Sequence, residues 1–196
     1  MRDDPMGVVA IFQGDSGSGK SAALRNFDVD DVGVFNILGK PFPFRRKLLT
    51  ADHSTYASII QALENNTMRC YVIDDAGYLM SLENFARAKE TGYGKFTEMA
   101  MNFEQMIDAA TKADPDTIVY IIMHVDRDEQ GRCKPKTIGK MLDNQFNITG
   151  ACPIAIEATV QDGKHVFVTK NDGFNGAKAP YGYASQRHGQ RPSCSR

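Results

Sequence analysis

Short, wholly apolar runs alternate along this chain with longer stretches in which apolar residues recur every three or four positions. Gly7-Val8-Val9-Ala10-Ile11-Phe12, Cys70-Tyr71-Val72-Ile73 and Thr117 to Met123 are runs of the first kind, too short for helices. They read as strands buried on both faces, and Thr117–Met123, apolar almost throughout, reads as the central one. Val32 to Ile37 is a further strand. Lys20 to Arg25, Ser54 to Asn65, Leu79 to Lys89 and Lys95 to Lys112 read as helices. Ser54 can cap the second of these, where Tyr56, Ile59, Ile60 and Leu63 fall near one face. Thr137 to Leu142 predicts a short helix. Pro153–Thr159 and His165–Thr169 predict two late strands joined by the turn Gln161-Asp162-Gly163-Lys164. Strand and helix in alternation give an α/β fold with a mainly parallel sheet.

Composition narrows this picture a little. With 196 residues, 42% hydrophobic and 24% charged, the chain has the size and make-up of one soluble domain with its own core. A net charge of −1 rules out wholesale electrostatic attraction to nucleic acid, so any such contact needs a local patch. Cys70, Cys133, Cys152 and Cys194 form no CxxC pair and no zinc pattern, and they read as reduced thiols. The start, Met1-Arg2-Asp3-Asp4-Pro5, is acidic where a signal peptide is basic, and the apolar run after it is too short to span a membrane. The expectation is a cytoplasmic protein with no membrane partner. From Gly176 to Arg196 the sequence holds Lys178, Arg187, Arg191 and Arg196 and no acid. It reads as a basic, loosely ordered tail behind a core of residues 1–175.

The chemistry begins at Gly14-Asp15-Ser16-Gly17-Ser18-Gly19-Lys20-Ser21, which fits G-x-x-x-x-G-K-[ST] without a mismatch. A chance match in a chain of this length has a probability of roughly 1%. Phosphate oxygens concentrate negative charge and need several donors at close range. Glycines let the backbone turn inward and present its N–H groups without a side chain in the way. A helix starting near Lys20 adds the positive end of its dipole. Lys20 can reach the β- and γ-phosphates and the Ser21 hydroxyl can bind Mg²⁺. Residues Gly14 to Ser21, with Ala22 behind them, are thus the expected ATP-binding set, and a flexible glycine linker is the competing explanation.

A second metal-directed group is expected at the end of a buried strand, and Tyr71-Val72-Ile73-Asp74 ends in one. Asp74 is the expected Mg²⁺ residue. Asp75 follows at once and is the candidate for orienting the attacking water, although aspartate is shorter than the glutamate usual there. The strand at Val32–Ile37 is expected to be the extra strand between the two motifs. An acid pair opening a turn before Gly77 is the plainer account of Asp74-Asp75. His124, at the end of the fourth strand, reads as a γ-phosphate or water sensor, or as an ordinary histidine leaving a strand.

These segments together resemble a bacteriophage family of small P-loop ATPases with a RecA-like core, of the kind found in recombination and single-strand-annealing modules. The resemblance rests on Gly14–Ser21, Val34–Pro43 (VFNILGKPFP), Val72–Met80 (VIDDAGYLM), Tyr93–Glu98, His124, Thr137–Leu142 and Lys170-Asn171-Asp172-Gly173. It implies a three-layer αβα sandwich, ATP hydrolysis, assembly into rings or filaments, and single-stranded DNA as partner. Lys170-Asn171-Asp172-Gly173 also looks like the K-N-R-x-G element of hexameric RecA-type helicases, whose basic residues reach a neighbouring subunit's γ-phosphate. Lys170 matches, while Asp172 stands where that arginine would be.

Two local basic groups are candidate DNA contacts. Lys40, Arg45, Arg46 and Lys47 are interleaved with Phe42 and Phe44, which could stack bases. Arg127, Arg132, Lys134, Lys136 and Lys140 follow the fourth strand. A solvated face is the alternative for each. Two rival functions stay open at this point: a nucleotide kinase with Arg127–Arg132 as lid, and a nucleotide-gated binding or packaging module with little turnover.

Overall fold

The computed structural model describes residues 6–180. In chain order the elements are β1 (Val8–Gly14), α1 (Lys20–Ala23), a 3₁₀ turn (Leu24–Asn26), β2 (Val32–Asn36), β3 (Leu49–Asp52), α2 (Tyr56–Asn65), β4 (Cys70–Asp74), α3 (Gly77–Ala86), α4 (Gly94–Thr111), β5 (Ile118–Arg127), β6 (Cys133–Pro135), α5 (Lys140–Asp143), α6 (Ile148–Ala151), β7 (Ile154–Gln161) and β8 (Lys164–Val168). The sheet order is β3-β2-β4-β5-β1-β7-β8, with β6 pairing β5. All neighbours from β3 to β7 are parallel, and β8 and β6 close antiparallel.

Alternation within the apolar runs decides the layers. Val9 and Ile11 of β1, Tyr71 and Ile73 of β4, and Val119, Ile121 and Met123 of β5 join the core cluster that holds Ile59, Leu63, Met99, Phe103 and Met106 from α2 and α4. Phe12, Val72 and Ile122 face the other way, against Ala23, Leu24 and Phe27. Both faces of the central strands are therefore buried, which is why their sequences lack a polar stripe. The second outer layer is thin. It consists of α1, its 3₁₀ extension and the partly buried Phe42, Phe44, Leu48 and Phe167.

Several expectations need correction. The strand lying between β1 and β4 is β5, whereas β2 sits on the far side of β4. Thr55, not Ser54, caps α2: its side chain accepts from Ser58 N, and Ser58 replies to the Thr55 backbone. Ser54 Oγ instead donates to the Ala51 carbonyl. The helix expected at Thr137–Leu142 is confined to Lys140–Asp143. The start of the expected tail is part of the core: Ala177 is buried, and Lys178 exchanges two backbone hydrogen bonds with Ala155 of β7, at 2.7 and 2.9 Å. Residues 181–196, including Cys194, Arg187, Arg191 and Arg196, lie outside the described residues, as do Met1–Pro5. Cys70, Cys133 and Cys152 are buried thiols.

Candidate active site

Strands β4, β5 and β1 lie side by side, and their C-terminal ends converge. Gly14 is in register with His124, and Ile73 with Ile121, so the glycine loop, His124 and the acid pair leave one edge of the sheet together. Gly14 itself is fixed by crowding. A Cβ there would lie 2.3 Å from the Ala158 carbonyl oxygen and 2.7 Å from Ser18 Oγ. Gly17 and Gly19 have φ of 79° and 97°, the left-handed region that glycine enters without strain. Asp15, Ser16 and Gly17 are exposed at the loop crest, while Ser18 and Lys20 are buried.

Lys20 folds back into its own loop. Its Nζ donates to the carbonyls of Gly14 (2.8 Å) and Asp15 (2.7 Å) and lies 3.5 Å from Ser18 Oγ. Burial pulls the ammonium below its ordinary pKa, against the attraction of Asp75, Asp74 and Asp15. The helix after the loop is a single α-turn, Lys20–Ala23, so its dipole contributes less than a full-length helix would. Ala22 lies within that turn, half-buried.

Across the cleft, Ser21 Oγ donates to Asp74 Oδ1 at 3.0 Å. Asp74 is buried, and burial together with the neighbouring Asp75 pushes its carboxyl up to about 6, although Ser21 and Lys20 pull it back. A hydroxyl and a carboxylate so close together are hard oxygen donors of the kind Mg²⁺ takes. Among the described residues no group of three or more His, Cys, Asp or Glu could hold a metal by itself. Ser21 and Asp74 thus fit a cation that draws its other ligands from phosphate and water.

Asp75 sits at φ 61°, an uncommon setting for a residue with a side chain, where the chain turns from β4 into α3. Its Oδ1 is 3.2 Å from His124 Nε2 and its Oδ2 is 3.3 Å from Lys40 Nζ. Burial acts to raise this carboxyl, but hydrogen bonds from His124 and Lys40 outweigh it and hold it below the usual range. The Lys40 ammonium also lies 5.1 Å above the Tyr78 ring, which meets His124 edge-on. Buried Asn36 fixes the segment that delivers Lys40, donating to the Lys40 carbonyl at 2.8 Å and accepting from its N–H at 3.3 Å.

The structure therefore brings Lys20, Ser21, Asp74, Asp75 and His124 together. Lys170 is not among them: it is exposed on the loop after β8, where its carbonyl accepts from Asn175. Lys40, Tyr78, Asn36 and His165, whose Nδ1 lies 3.0 Å from the Ser18 carbonyl oxygen, belong to the site's surroundings and are not legible as such in the sequence. Lys40 lies 35 residues from Asp75 with no local signal tying them.

The basic groups also change in character. Phe42 and Phe44 stack on each other at 5.3 Å and pack against the core, so they are not open platforms for bases. Arg46 pairs with Asp28. Arg127 pairs with Asp15 of the loop, Arg132 with Asp128 and Lys134 with Asp143. Arg45, Lys47, Lys136 and Lys140 are exposed.

No protein-family model matches the chain, and no curated protein matches it. Solved structures do. One is described as a prototypical ATPase from the type III secretion system of pathogenic bacteria: TM-score 0.50, 13% identity, covering 79% of this chain and 51% of that one. Another is the P4 protein from bacteriophage phi6 in complex with ADP: TM-score 0.46, 15% identity, covering 86% of this chain and 56% of that one. This chain thus spans about half the length of each, and the second likeness is too distant to argue from. Among the described residues no helix is long and apolar enough to cross a membrane. Strand order, loop and the first of these likenesses agree on the fold: a mainly parallel α/β sheet of the RecA-like P-loop type.

Proposed function

We propose that this chain binds ATP with Mg²⁺ and hydrolyses it. The observation that carries the reading is the Ser21–Asp74 contact at 3.0 Å beside a glycine loop with a buried lysine. Two sequence-distant motifs meet there in the arrangement that a metal-bound triphosphate requires. In this reading Gly14 to Ala22 wrap the phosphates with backbone N–H groups. Lys20 leaves the Gly14 and Asp15 carbonyls for phosphate oxygens and neutralises their charge. Ser21 and Asp74 would hold Mg²⁺, which would supply neutralisation of phosphate charge when bound. Asp75 orients the attacking water, and His124, hydrogen-bonded to it, aligns the carboxylate. The fold shared with an ATPase supports this assignment.

The finer proposals are that the chain assembles into a ring or filament, that Lys170 acts on a neighbouring copy's site, and that single-stranded DNA is the partner in phage recombination or replication. Exposed Arg45, Lys47, Lys136 and Lys140 are the residues for that contact. One experiment tests the core and the DNA proposal together: ATP turnover with and without single-stranded DNA, on wild type and Lys20→Ala. Turnover that DNA stimulates and the variant lacks is the expected result. Absence of Mg²⁺-dependent nucleotide affinity in the wild type would remove the whole reading.

A second reading, a nucleotide-gated binding module with little turnover, is favoured by one observation. Both carboxylate oxygens of Asp75 are engaged, by His124 and Lys40. Tight nucleotide binding without turnover in any oligomeric state would decide for it.

A further inference from the structure

His165, on β8, reaches the phosphate loop from the side of the sheet opposite the acid pair. β8 follows β7 outward from β1, whereas Asp74 and Asp75 lie beyond β5 on the other flank. The ring's Nδ1 is 3.0 Å from the Ser18 carbonyl oxygen. The same ring crowds Gly19, where an added Cβ would meet Nδ1 at 3.1 Å and Cγ at 3.4 Å. A carbonyl oxygen only accepts, so Nδ1 carries the proton and donates.

That contact has a stereochemical result. The described residues contain no cis peptide bond. In a trans peptide the C=O and the following N–H point in opposite directions. Holding the Ser18 oxygen toward β8 therefore turns the Gly19 N–H away from β8. Gly19, at φ 97°, has the loosest backbone in the loop's second half and would otherwise let this peptide rotate. Neighbouring carbonyls are held by the loop segment itself: Gly14 and Asp15 by Lys20 Nζ, and Gly19 by Ala23 N at 3.0 Å. The Ser18 carbonyl is held from a different element, 147 residues away in sequence.

We propose that His165 is a positioning residue for phosphate binding: by fixing the Ser18–Gly19 peptide it aims the Gly19 N–H at a nucleotide phosphate before the nucleotide arrives. The inference rests on reading Gly14–Ser21 as the nucleotide site. It predicts a contribution to affinity and little to the chemical step, since the peptide is oriented in free and bound protein alike.

The test compares wild type, Lys20→Ala, His165→Ala, His165→Phe and His165→Asn in full-length protein. Affinities for Mg²⁺-ADP, Mg²⁺-ATP and inorganic tripolyphosphate are measured by titration calorimetry, turnover by phosphate release, and folding by thermal unfolding. His165→Ala and His165→Phe are expected to weaken all three ligands about 3- to 10-fold, the worth of one net hydrogen bond, while kcat changes less than about 2-fold. His165→Asn, whose amide N–H stands near the Nδ1 position, is expected to recover most of the loss. Equal tripolyphosphate affinity in wild type and His165→Ala overturns the inference, as does a His165→Phe variant that keeps full affinity, which would assign the ring a stacking role. A nitrogen-15 spectrum of the neutral His165 ring, taken without nucleotide, should show the Nδ1–H form, and the Nε2–H form alone overturns the inference. Loss of binding in Lys20→Ala with none in His165→Ala sinks this proposal and spares the ATP reading. A wild type that binds no nucleotide sinks both.

Discussion

Ser21 Oγ and Asp74 Oδ1 meet at 3.0 Å although 53 residues separate them in the chain. Burial of that carboxylate, with Asp75 beside it, raises its pKa from 3.8 to about 6 despite the Ser21 hydrogen bond. The folded protein therefore keeps a proton that the unfolded chain releases between about pH 4 and pH 6. Stability from this group falls as pH rises through that window, and the penalty persists above it. Asp74→Asn should consequently stabilise the nucleotide-free protein by about 1–3 kcal/mol at pH 8 and by almost nothing at pH 4. Urea unfolding at the two pH values measures this. The same variant should lose Mg²⁺-dependent nucleotide affinity. A variant less stable than wild type at pH 8 would show that the buried charge is not the destabilising element.

Asp75 combines a left-handed backbone with a carboxylate held on both sides. Asparagine tolerates φ near 61° better than most residues, so Asp75→Asn removes the charge with little added strain. Turnover should drop on the order of 10²- to 10³-fold, with nucleotide affinity changed only a few-fold. Asp75→Ala should show the same kinetic loss plus about 1 kcal/mol of lost stability from the backbone. Near-normal turnover in Asp75→Asn would move the water-orienting role elsewhere.

Lys40 acts with His124 to hold the Asp75 carboxyl below its usual range, and removing it should be visible in pH dependence. A depressed carboxyl adds stability above the ordinary pKa of about 4, and that stability is lost as pH falls through the lower folded value. Lys40→Ala should thus cost a few tenths of a kcal/mol at pH 7, Lys40 being largely exposed, and nothing below the folded pKa of Asp75. The acid limb of its kcat profile should move to higher pH. An unmoved limb would mean that Asp75 does not govern turnover.

Gly14→Ala tests the crowding where β1 ends. The added methyl would press on the Ala158 backbone oxygen, which cannot move without opening the β1–β7 pairing. A loss of about 1–3 kcal/mol in unfolding free energy is expected, with weaker nucleotide binding. Gly17→Ala, whose position is open, should cost less and only through its positive φ.

Much of this architecture was legible because the central strands β1, β4 and β5 are buried on both faces and so write unbroken apolar runs. The loop was legible because phosphate binding demands glycine and lysine at fixed spacing. The remaining features leave no local mark, for different physical reasons. β3, with exposed Leu49, Ala51 and Asp52, buries too little to leave a pattern, and β6 spans only Cys133–Pro135. The neighbour of β1 is not readable locally because strand order is a long-range property, set by which crossover packs, and Val32–Ile37 carries no mark of it. Lys40 and His165 reach the site from distant segments, so no local spacing announces them. Phe42 and Phe44 looked like nucleic-acid platforms, yet the thin second layer needed their rings as cover.

The hydrogen bonds that join Lys178 to Ala155 bear on how short this chain can be made. They occupy the stretch of β7 that β8 does not reach, since the β7–β8 ladder stops at Glu157 and Val168. A protein cut after residue 175 would bare the N–H and C=O of Ala155 along an open margin of the sheet. Unsheathed margins of this kind recruit strands from other molecules. Self-association of such a shortened form would therefore report a lost clasp and say nothing of native assembly.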